Sequence, residues 1–265
     1  MGVQSCCCYW TSPRASQPTL SFMVSRSVEL LMRFPALIFF FALYCGLASG
    51  CREGVTRQVA ATVLSTHGPV VLGINERTDF RPAAPESRLP SGSSVRTLDG
   101  AWLNLALLPG ALLRLSSNSE IKIEELKISK DGNQTDGGMR GRIARIRLNR
   151  GKITVLFSRP DKSASQFVIS ARQATITAES DCLFCVQNDP ATTRLTCARG
   201  KVYASHSARP AVAIGAGYFQ QWPSARPEPI AAADDAAAQI DIVDSLEIGN
   251  HLGELQSGWQ NQHPF

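Results

Sequence analysis

Apolar and polar residues alternate along most of the chain after about residue 60. Runs in which every second side chain is apolar recur at 95–97, 102–105, 113–115, 121–123, 146–148, 153–155 and 167–169. A period of two is typical of strands with one buried face. No window between about residues 60 and 221 has a helical stripe of apolar residues. The pattern therefore predicts an all-β fold: a roll, a sandwich or a solenoid.

A second pattern places an apolar residue three positions before a glycine, and a strand follows each time. It occurs at 89–92, 107–110, 148–151 and 197–200. Glycine has no Cβ and adopts positive φ without strain, so it suits a tight turn between strands. Because the intervals are irregular, we interpret the pattern as a recurring corner, not a repeat array. We predict positive φ at Gly92, Gly110, Gly151 and Gly200.

The C-terminal residues depart from the alternation. Prolines at 223, 227 and 229 predict an extended linker. Residues 231–255 then carry Ile240, Val243 and Leu246 at helical spacing, which predicts a short amphipathic helix whose last turns are cut by Gly249 and Gly253. Such a helix could dock on a basic sheet of its own chain or of a neighbour, or reach a partner. A tail without fixed structure is the alternative.

Charge is distributed unevenly along the chain. The net charge of +5 is too mild an excess to indicate nucleic-acid binding. No Lys or Arg follows Arg226, whereas acidic residues stand at 228, 234, 235, 241, 244, 247 and 254. A basic run precedes this acidic tail, with Arg140, Arg142, Arg145, Arg147, Arg150 and Lys152. Alternation places Arg145 and Arg147 on one face of a strand while Ile146 and Leu148 face the core.

The basic run has two interpretations. It is either a solvated outer face or a binding surface for an acidic partner, such as a lipid head group, an anionic glycan or an acidic protein segment.

The N-terminal residues have the pattern of an export signal. An apolar run at 34–50 follows a positive residue and ends in small residues, and it is short for a membrane span. Ala48, Ser49 and Gly50 before Cys51 resemble the lipobox of bacterial lipoproteins, although Leu is more usual at the position of Ala48. The resemblance implies cleavage before Cys51 and lipidation of its thiol. An ordinary cleaved signal and an uncleaved anchor are the alternatives.

These patterns divide the chain into four parts. Residues 1–50 contain the signal, and the first 22 of them read as sequence upstream of the true start at Met23 or Met32. Residues 51–59 form a lipidated linker, 60–221 form the all-β domain, and 222–265 form the proline- and alanine-rich linker with the acidic tail.

Five segments of the all-β part resemble the FecR domain: LPSGSSVRT (89–97), GAWLNLALLPGALLRL (100–115), RLNRGKITVLF (147–157), FVISARQATITAESDCLFCV (167–186) and TRLTCARGKVYAS (193–205). Asp181 and Cys182 stand where that family usually has Gly-Thr. The resemblance covers roughly residues 60–221 and implies a twisted, solenoid-like β-roll outside the cytoplasm. Family members that regulate iron uptake also carry a cytoplasmic segment that binds a sigma factor. We expect only the fold and a periplasmic interaction role to transfer to this chain.

The cysteines after Cys51 suggest a disulfide. If Phe184 pairs with Leu195 across a hairpin, the same register places Cys182 opposite Cys197. We therefore predict a buried disulfide between Cys182 and Cys197, with Cys185 as a free thiol on the other face. A slip in register would favour Cys185 instead.

Other chemistry finds little support in the sequence. Cys182, Cys185, Cys197 and His206 could form a zinc site, but a second Cys-x-x-Cys is missing and exported thiols tend to oxidise. The sequence contains neither a Gly-x-Ser-x-Gly elbow nor a phosphate-binding loop. We therefore expect no metal, no cofactor and no enzymatic activity.

The preferred hypothesis is a membrane-anchored FecR-domain lipoprotein that works as a periplasmic sensor or scaffold through protein contacts. Arg52 is not the Asp that resembles an inner-membrane retention signal, so attachment to the outer membrane is favoured. The alternative is an envelope polysaccharide-binding protein that uses the basic run from Arg140 to Lys152. Nucleic acid is not an expected partner.

Overall fold

The computed structural model of the chain describes residues 55–73, 80–131, 139–159, 163–207, 210–224 and 226–262, with side chains as far as residue 257. The chain divides into two units, Met1–Cys51 and Arg52–Phe265. The first unit lies outside the described residues, and so do the predicted export signal and Cys51.

Strands dominate the described residues. They are β1 Val55–Gln58, β2 Ala61–His67, β3 Val70–Gly73, β4 Phe80–Pro82, β5 Arg88–Leu89, β6 Ser94–Thr97, β7 Trp102–Leu108, β8 Ala111–Leu115, β9 Glu120–Lys130, β10 Met139–Phe157, β11 Ala164–Ser170, β12 Thr175–Ala178, β13 Cys182–Asn188, β14 Thr193–Ser205, β15 Val212–Gly215, β16 Tyr218–Trp222 and β17 Ile230–Ala231. A 3-10 turn, Ala232–Asp234, leads into helix α1, Ala236–Gln262. The predicted fold class, all-β with a C-terminal helix, is confirmed.

The strands form two sheets that share β10 and β14. The first sheet runs β4, β3, β6, β9, β10, β11, β12, β14 and β15, with β1 also paired to β9. The second runs β5, β2, β7, β8, β10, β13, β14, β16 and β17. Only β10 and β11 pair in parallel among the described strands. Because β10 and β14 belong to both sheets, the two sheets together close into a roll.

Each shared strand bends at a corner glycine where it passes from one sheet to the other. Strand β10 passes between sheets at Gly151 and β14 passes at Gly200. The predicted positive φ is confirmed at all four corner glycines, with values from 78° to 89°. A Cβ on Gly151 would lie 2.1 Å from Ser119 Oγ, and one on Gly200 would lie 2.1 Å from the Asp181 carbonyl oxygen. The backbone at these two corners therefore requires glycine.

The core lies between the two sheets. It is built from the inward side chains of the alternating strands, and many of these are fully buried: Leu103, Leu105, Leu113, Leu115, Ile121, Ile123, Ile146, Ile153, Val155, Phe167, Ile169, Phe184 and Leu195. Ile146 and Leu148 face this core while Arg145 and Arg147 are exposed, as predicted from the alternation.

The predicted register of the β13–β14 hairpin is wrong. Phe184 pairs with Cys197, and Val186 pairs with Leu195. The centre of the turn therefore lies one residue later than the sequence suggested. A bulge between Leu183 and Phe184 then places Cys182 opposite Gly200.

The predicted Cys182–Cys197 disulfide is absent from the structure. Cys182, Cys185 and Cys197 are free, buried thiols. Cys182 and Cys197 belong to the inner core, whereas Cys185 lies outside that cluster, beside the Ser245 side chain of α1. The shifted register moves Cys182 and Cys197 out of directly opposite positions, which removes the geometric basis of the prediction.

Helix α1 is longer than predicted, and the apolar residues that predicted it face away from the roll. Its 27 residues continue past both glycines that were expected to cut it. The Asp235 side chain caps its first turn by accepting a hydrogen bond from the Ala238 N–H at 2.8 Å. Ile240, Val243 and Leu246, which we call the outer stripe, are 61%, 65% and 41% exposed.

Small side chains decide which face of α1 packs inward. Ala238 and Ser245 are buried against the second sheet. A Cβ on Gly249 would lie 2.6 Å from the Leu183 side chain, so glycine there lets the helix approach closely. No helix in the described part of the chain combines the length and apolar character needed to cross a membrane.

Candidate functional site

The pleat of β10 and its corner divide the basic run among several places. In the first sheet, the odd-numbered side chains point outward, which exposes Arg145 and Arg147. Arg142 falls on the inward side and is buried, while Arg140 is exposed near the start of the strand. After Gly151 the alternation reverses, so Lys152 lies on the outer face of the second sheet. The basic run is therefore not one continuous stripe.

Arg142 connects the β7–β8 turn to the residues just before β11 through hydrogen bonds. Its guanidinium Nη1 donates to the Pro109 carbonyl at 2.6 Å, and Nη2 donates to Ser163 Oγ at 3.3 Å. Because this side chain is 3% exposed, it stabilises the fold and is not part of an open binding surface.

Glutamates of β9 form ion pairs with three exposed arginines of β10. Arg147 lies 2.7 Å from Glu124, Arg145 lies 3.4 Å from Glu125, and Arg150 lies 3.6 Å from Glu120. A hydrogen bond from Lys127 is the main cause that lowers the pKa of Glu125. The sequence reasoning overlooked these three acids. For Glu120 and Glu124 the available signal was their alternation with Ile121 and Ile123 in β9, which places them on the outer face of the same sheet. Glu125 breaks this alternation and reaches the outer face because the register between β9 and β10 shifts beside it.

Lys152 joins the second sheet to the acidic helix. Its Nζ donates to Asp241 Oδ1 at 2.7 Å and lies 3.4 Å from Asp244 Oδ2. Thr196 Oγ1 donates to the other Asp241 oxygen at 3.3 Å. Burial alone would lower the pKa of Lys152, but the hydrogen bond and charge of Asp241, helped by Asp244, outweigh this, so its pKa is raised.

Two further arginines complete the basic outer face under α1. Arg194 Nη1 lies 3.6 Å from Asp235 at the start of the helix. Burial lowers the pKa of Arg114, and the charge of Glu247 on α1 partly opposes this. The acidic helix therefore docks on a basic sheet of its own chain, which was one of the alternatives left open by the sequence.

Apolar contacts hold the helix along the same face. Leu252 is fully buried against Ala106 and Leu112, and Ile248, Leu255, Leu64 and Leu156 surround them. Near the start of the helix, Ala238 packs with Phe219 and Ala232. Contacts at both ends fix the rotation of α1 about its axis.

Cys185 lies within this interface between sheet and helix. It is fully buried next to Thr196 and Ser245, and burial raises the pKa of its thiol to about 12. The Cys197 thiol is also shifted upward, to a pKa of about 11, again mainly by burial. The described thiols are therefore protonated and shielded near neutral pH.

The alternative zinc site is not assembled. His206 Nδ1 contacts the Gln173 carbonyl oxygen. Within the described ranges, no three His, Cys, Asp or Glu side chains are arranged to hold a metal ion.

An open groove of about 420 Å³ lies beside the exposed part of β10. It is lined by Arg147, Asn149, Ser170, Arg172 and Asn188 among others. The Asn188 amide donates to the Leu148 and Asn149 carbonyls at 2.9 Å and anchors the floor of the groove. Two guanidinium groups thus line one concave surface.

Comparison with known proteins places the chain beside one family. The family model described as FecR protein matches residues 93–203, which confirms the resemblance seen in the sequence. No curated protein matches the chain.

Two crystal structures of a candidate anti-sigma factor from Parabacteroides distasonis ATCC 8503, at 2.50 and 1.65 Å resolution, are similar at 14% identity and a TM-score of 0.38. The match covers 52% of this chain and 57% of that chain. This chain therefore spans little more than half of the length of that protein.

Proposed function

We propose that this chain, which carries a FecR domain in residues 93–203, is a non-enzymatic sensor or scaffold that works through protein contacts in the bacterial envelope. The observation that carries the proposal is the outer stripe of α1. The roll holds this helix by its inner face and leaves three large apolar side chains exposed. Exposed apolar side chains that lie together are typical of interaction surfaces.

The chemistry of the described residues supports a binding role over catalysis. The thiols of Cys182, Cys185 and Cys197 are buried, and their pKa values are raised. A reactive cysteine instead needs access and a lowered pKa. The charged side chains of β10 serve ion pairs with β9 and α1.

Attachment to the outer membrane, facing the periplasm, completes the proposal. It is supported by the lipobox-like residues before Cys51 and by Arg52 after it. Metabolic labelling with palmitate tests the anchor: the wild-type chain should take up label and fractionate with the outer membrane, whereas Cys51→Ala should do neither. An unlabelled wild-type chain would refute the lipid anchor.

Cross-linking in the native envelope tests the interaction role. The tagged full chain is treated with a lysine-reactive cross-linker, and its adducts are identified by mass spectrometry. A protein recovered reproducibly with the wild type, and lost when Cys51→Ala releases the chain from its membrane, would support the proposal. Recovery of glycan alone would support the alternative function.

That alternative is binding of an anionic polysaccharide by the basic run. The groove beside β10 favours it, because Arg147 and Arg172 both line a concave surface where a carboxylate could bind. The pairing of Arg145 and Arg147 with glutamates weakens it. Binding of an acidic glycan that falls at least about tenfold in Arg172→Gln would favour this second function.

A further inference from the structure

The inner face of α1 fixes the orientation of the helix. Ala238 near one end and Leu252 near the other are fully buried. Between them, the Asp241 side chain is 7% exposed and is held by Lys152. Rolling the helix to bury the outer stripe would break these contacts and leave a buried carboxylate without its counter-ion, which is costly. The outer stripe is therefore available to a second molecule.

The outer stripe is a local concentration of apolar surface. Ile240, Val243 and Leu246 are three of the seven large hydrophobic side chains exposed in the described part of the chain. They follow one another at every third position, so they span about 9 Å along one side of the helix. This length and spacing match the contacts that a partner helix makes through its own apolar stripe.

The charge around the outer stripe selects the partner. Glu247 and Glu254 are exposed on the same side of α1, and Asp244, with a side chain 47% exposed, lies at its flank. No Lys or Arg occurs after Arg226. A second copy of this helix, or an anionic lipid surface, would bring like charges together, which is unfavourable. A segment with basic residues would instead find complementary charge.

We propose that the outer stripe binds an amphipathic helical segment of a partner protein in which Lys or Arg flanks the apolar side chains. The inference rests on the proposed function and names the chemistry of the partner. The apolar side chains of the segment pack on Ile240, Val243 and Leu246, and its basic side chains pair with Glu247 and Glu254.

A matched pair of synthetic peptides tests the chemistry. Both carry the same apolar residues at helical spacing, and the flanking positions are Lys in one and Glu in the other. Fluorescence anisotropy with the full chain should show binding of the Lys peptide at least about tenfold tighter than that of the Glu peptide. Glu254→Lys should narrow this difference. Equal affinities for the two peptides in the wild type would overturn the proposal.

A stripe variant separates the outer stripe from the rest of the acidic surface. The triple substitution Ile240→Gln, Val243→Gln and Leu246→Gln keeps the charge of the helix and should weaken binding of the Lys peptide at least about tenfold. The matched control, Val55→Gln with Leu98→Gln, replaces exposed apolar side chains elsewhere and should bind as the wild type does. Undiminished binding by the stripe variant would refute the assigned surface.

Photo-cross-linking in the native envelope tests the occupant. A photoreactive residue is placed at Val243 in the full chain, with Leu98 as the control position. Linkage from Val243 to a segment of another protein with Lys or Arg beside apolar residues supports the inference, provided that Glu254→Lys reduces it. Linkage to a second copy, to lipid or to an acidic segment overturns it.

The two proposals fail in distinguishable ways. Protein adducts at Leu98 or by general cross-linking, with none at Val243, would leave the interaction role standing and refute the outer stripe as its surface. The absence of any protein adduct at any position would contradict the proposed function itself.

Discussion

At the residue scale, Gly151 decides how one strand serves two sheets. Its φ of 88° is the left-handed conformation, and the space where a Cβ would stand is occupied by Ser119. The bend there reverses the alternation of β10. It therefore sends Arg147 outward from the first sheet and Lys152 outward from the second, towards the helix.

Replacing this glycine should be costly. Gly151→Ala is expected to lower the free energy of unfolding by about 3 kcal/mol, because the left-handed conformation costs roughly 1–2 kcal/mol and overpacking typically adds about 1–3 kcal/mol. Urea unfolding followed by circular dichroism measures the change. Gly92→Ala is the matched control, since its φ is 89° and nothing lies within 4 Å. Equal losses in the two variants would contradict the tight corner at Gly151.

The sequence could predict the glycine corners but not what surrounds them. An apolar residue and a glycine at fixed spacing are local features, and they predicted the positive φ. The contact of Gly151 with Ser119 joins distant parts of the chain. The same limit explains the cysteine error, because a bulge after Leu183 and a turn displaced by one residue are decided by packing, not by the pattern of apolar residues.

At the scale of the element, α1 carries apolar side chains on two faces, and one of them packs on the roll. The helix was predicted from the spacing of Ile240, Val243 and Leu246, but Ile248 and Leu252 also lie at helical spacing. The helix packs through the face that carries Ile248 and Leu252. Small residues on that face, Ala238, Ser245 and Gly249, let the helix approach the sheet, and Asp241 on the same face meets Lys152. Periodicity alone could predict the helix, but not which face would fit the sheet.

Two leucines of α1 test this assignment. Leu252→Ala should lower the free energy of unfolding by about 2–4 kcal/mol, since it removes a fully buried side chain. Leu246→Ala should change it by no more than about 0.5 kcal/mol, because that side chain is in solvent. Thermal and urea unfolding measure both variants. A larger loss of stability in Leu246→Ala than in Leu252→Ala would mean that the face with Ile240, Val243 and Leu246 packs on the roll.

The ion pair between Lys152 and Asp241 should control opening of the interface beneath α1. Lys152→Met leaves the buried Asp241 carboxylate without its counter-ion, so the helix should separate from the sheet more often. Labelling of native protein by a thiol reagent should then speed up at Cys185, which lies under α1, but not at Cys197 in the inner core. Adding Asp241→Leu should slow the labelling again. Equal acceleration at both cysteines would indicate global unfolding instead.

The raised pKa of Lys152 predicts how this contact depends on pH. Its pKa in the folded chain lies above the ordinary value of 10.5. The contribution of the pair to stability is therefore complete below about pH 10.5 and is lost as pH rises through the folded pKa. Between about pH 9 and pH 12, the wild type should lose more free energy of unfolding than Lys152→Met. Identical losses would show that the pair contributes nothing.

At the scale of the whole molecule, the acidic tail and the basic roll form one packed unit. Lys152 and Arg194 reach Asp241 and Asp235 across the interface, and fully buried Leu252 joins the two parts. The sequence predicted the separation of charge and left open where the tail would lie. The docking site could not be predicted from the charge pattern alone, because Arg194 lies in a strand outside the basic run.

Removing the helix should therefore damage the roll. A chain that ends at Arg226 uncovers Ala106, Leu112 and Leu156 on the second sheet, and it leaves Lys152 without Asp241. We expect it to unfold at a lower temperature and to self-associate through the uncovered sheet. Light scattering after size-exclusion chromatography measures the association.

The control is the stripe variant with Gln at 240, 243 and 246, which should remain as stable as the wild type because Gln favours helix at least as well as Ile or Val. A monomeric truncated chain with unchanged stability would mean that α1 is a detachable arm, whereas loss of stability in the stripe variant would mean that its inner and outer faces are reversed.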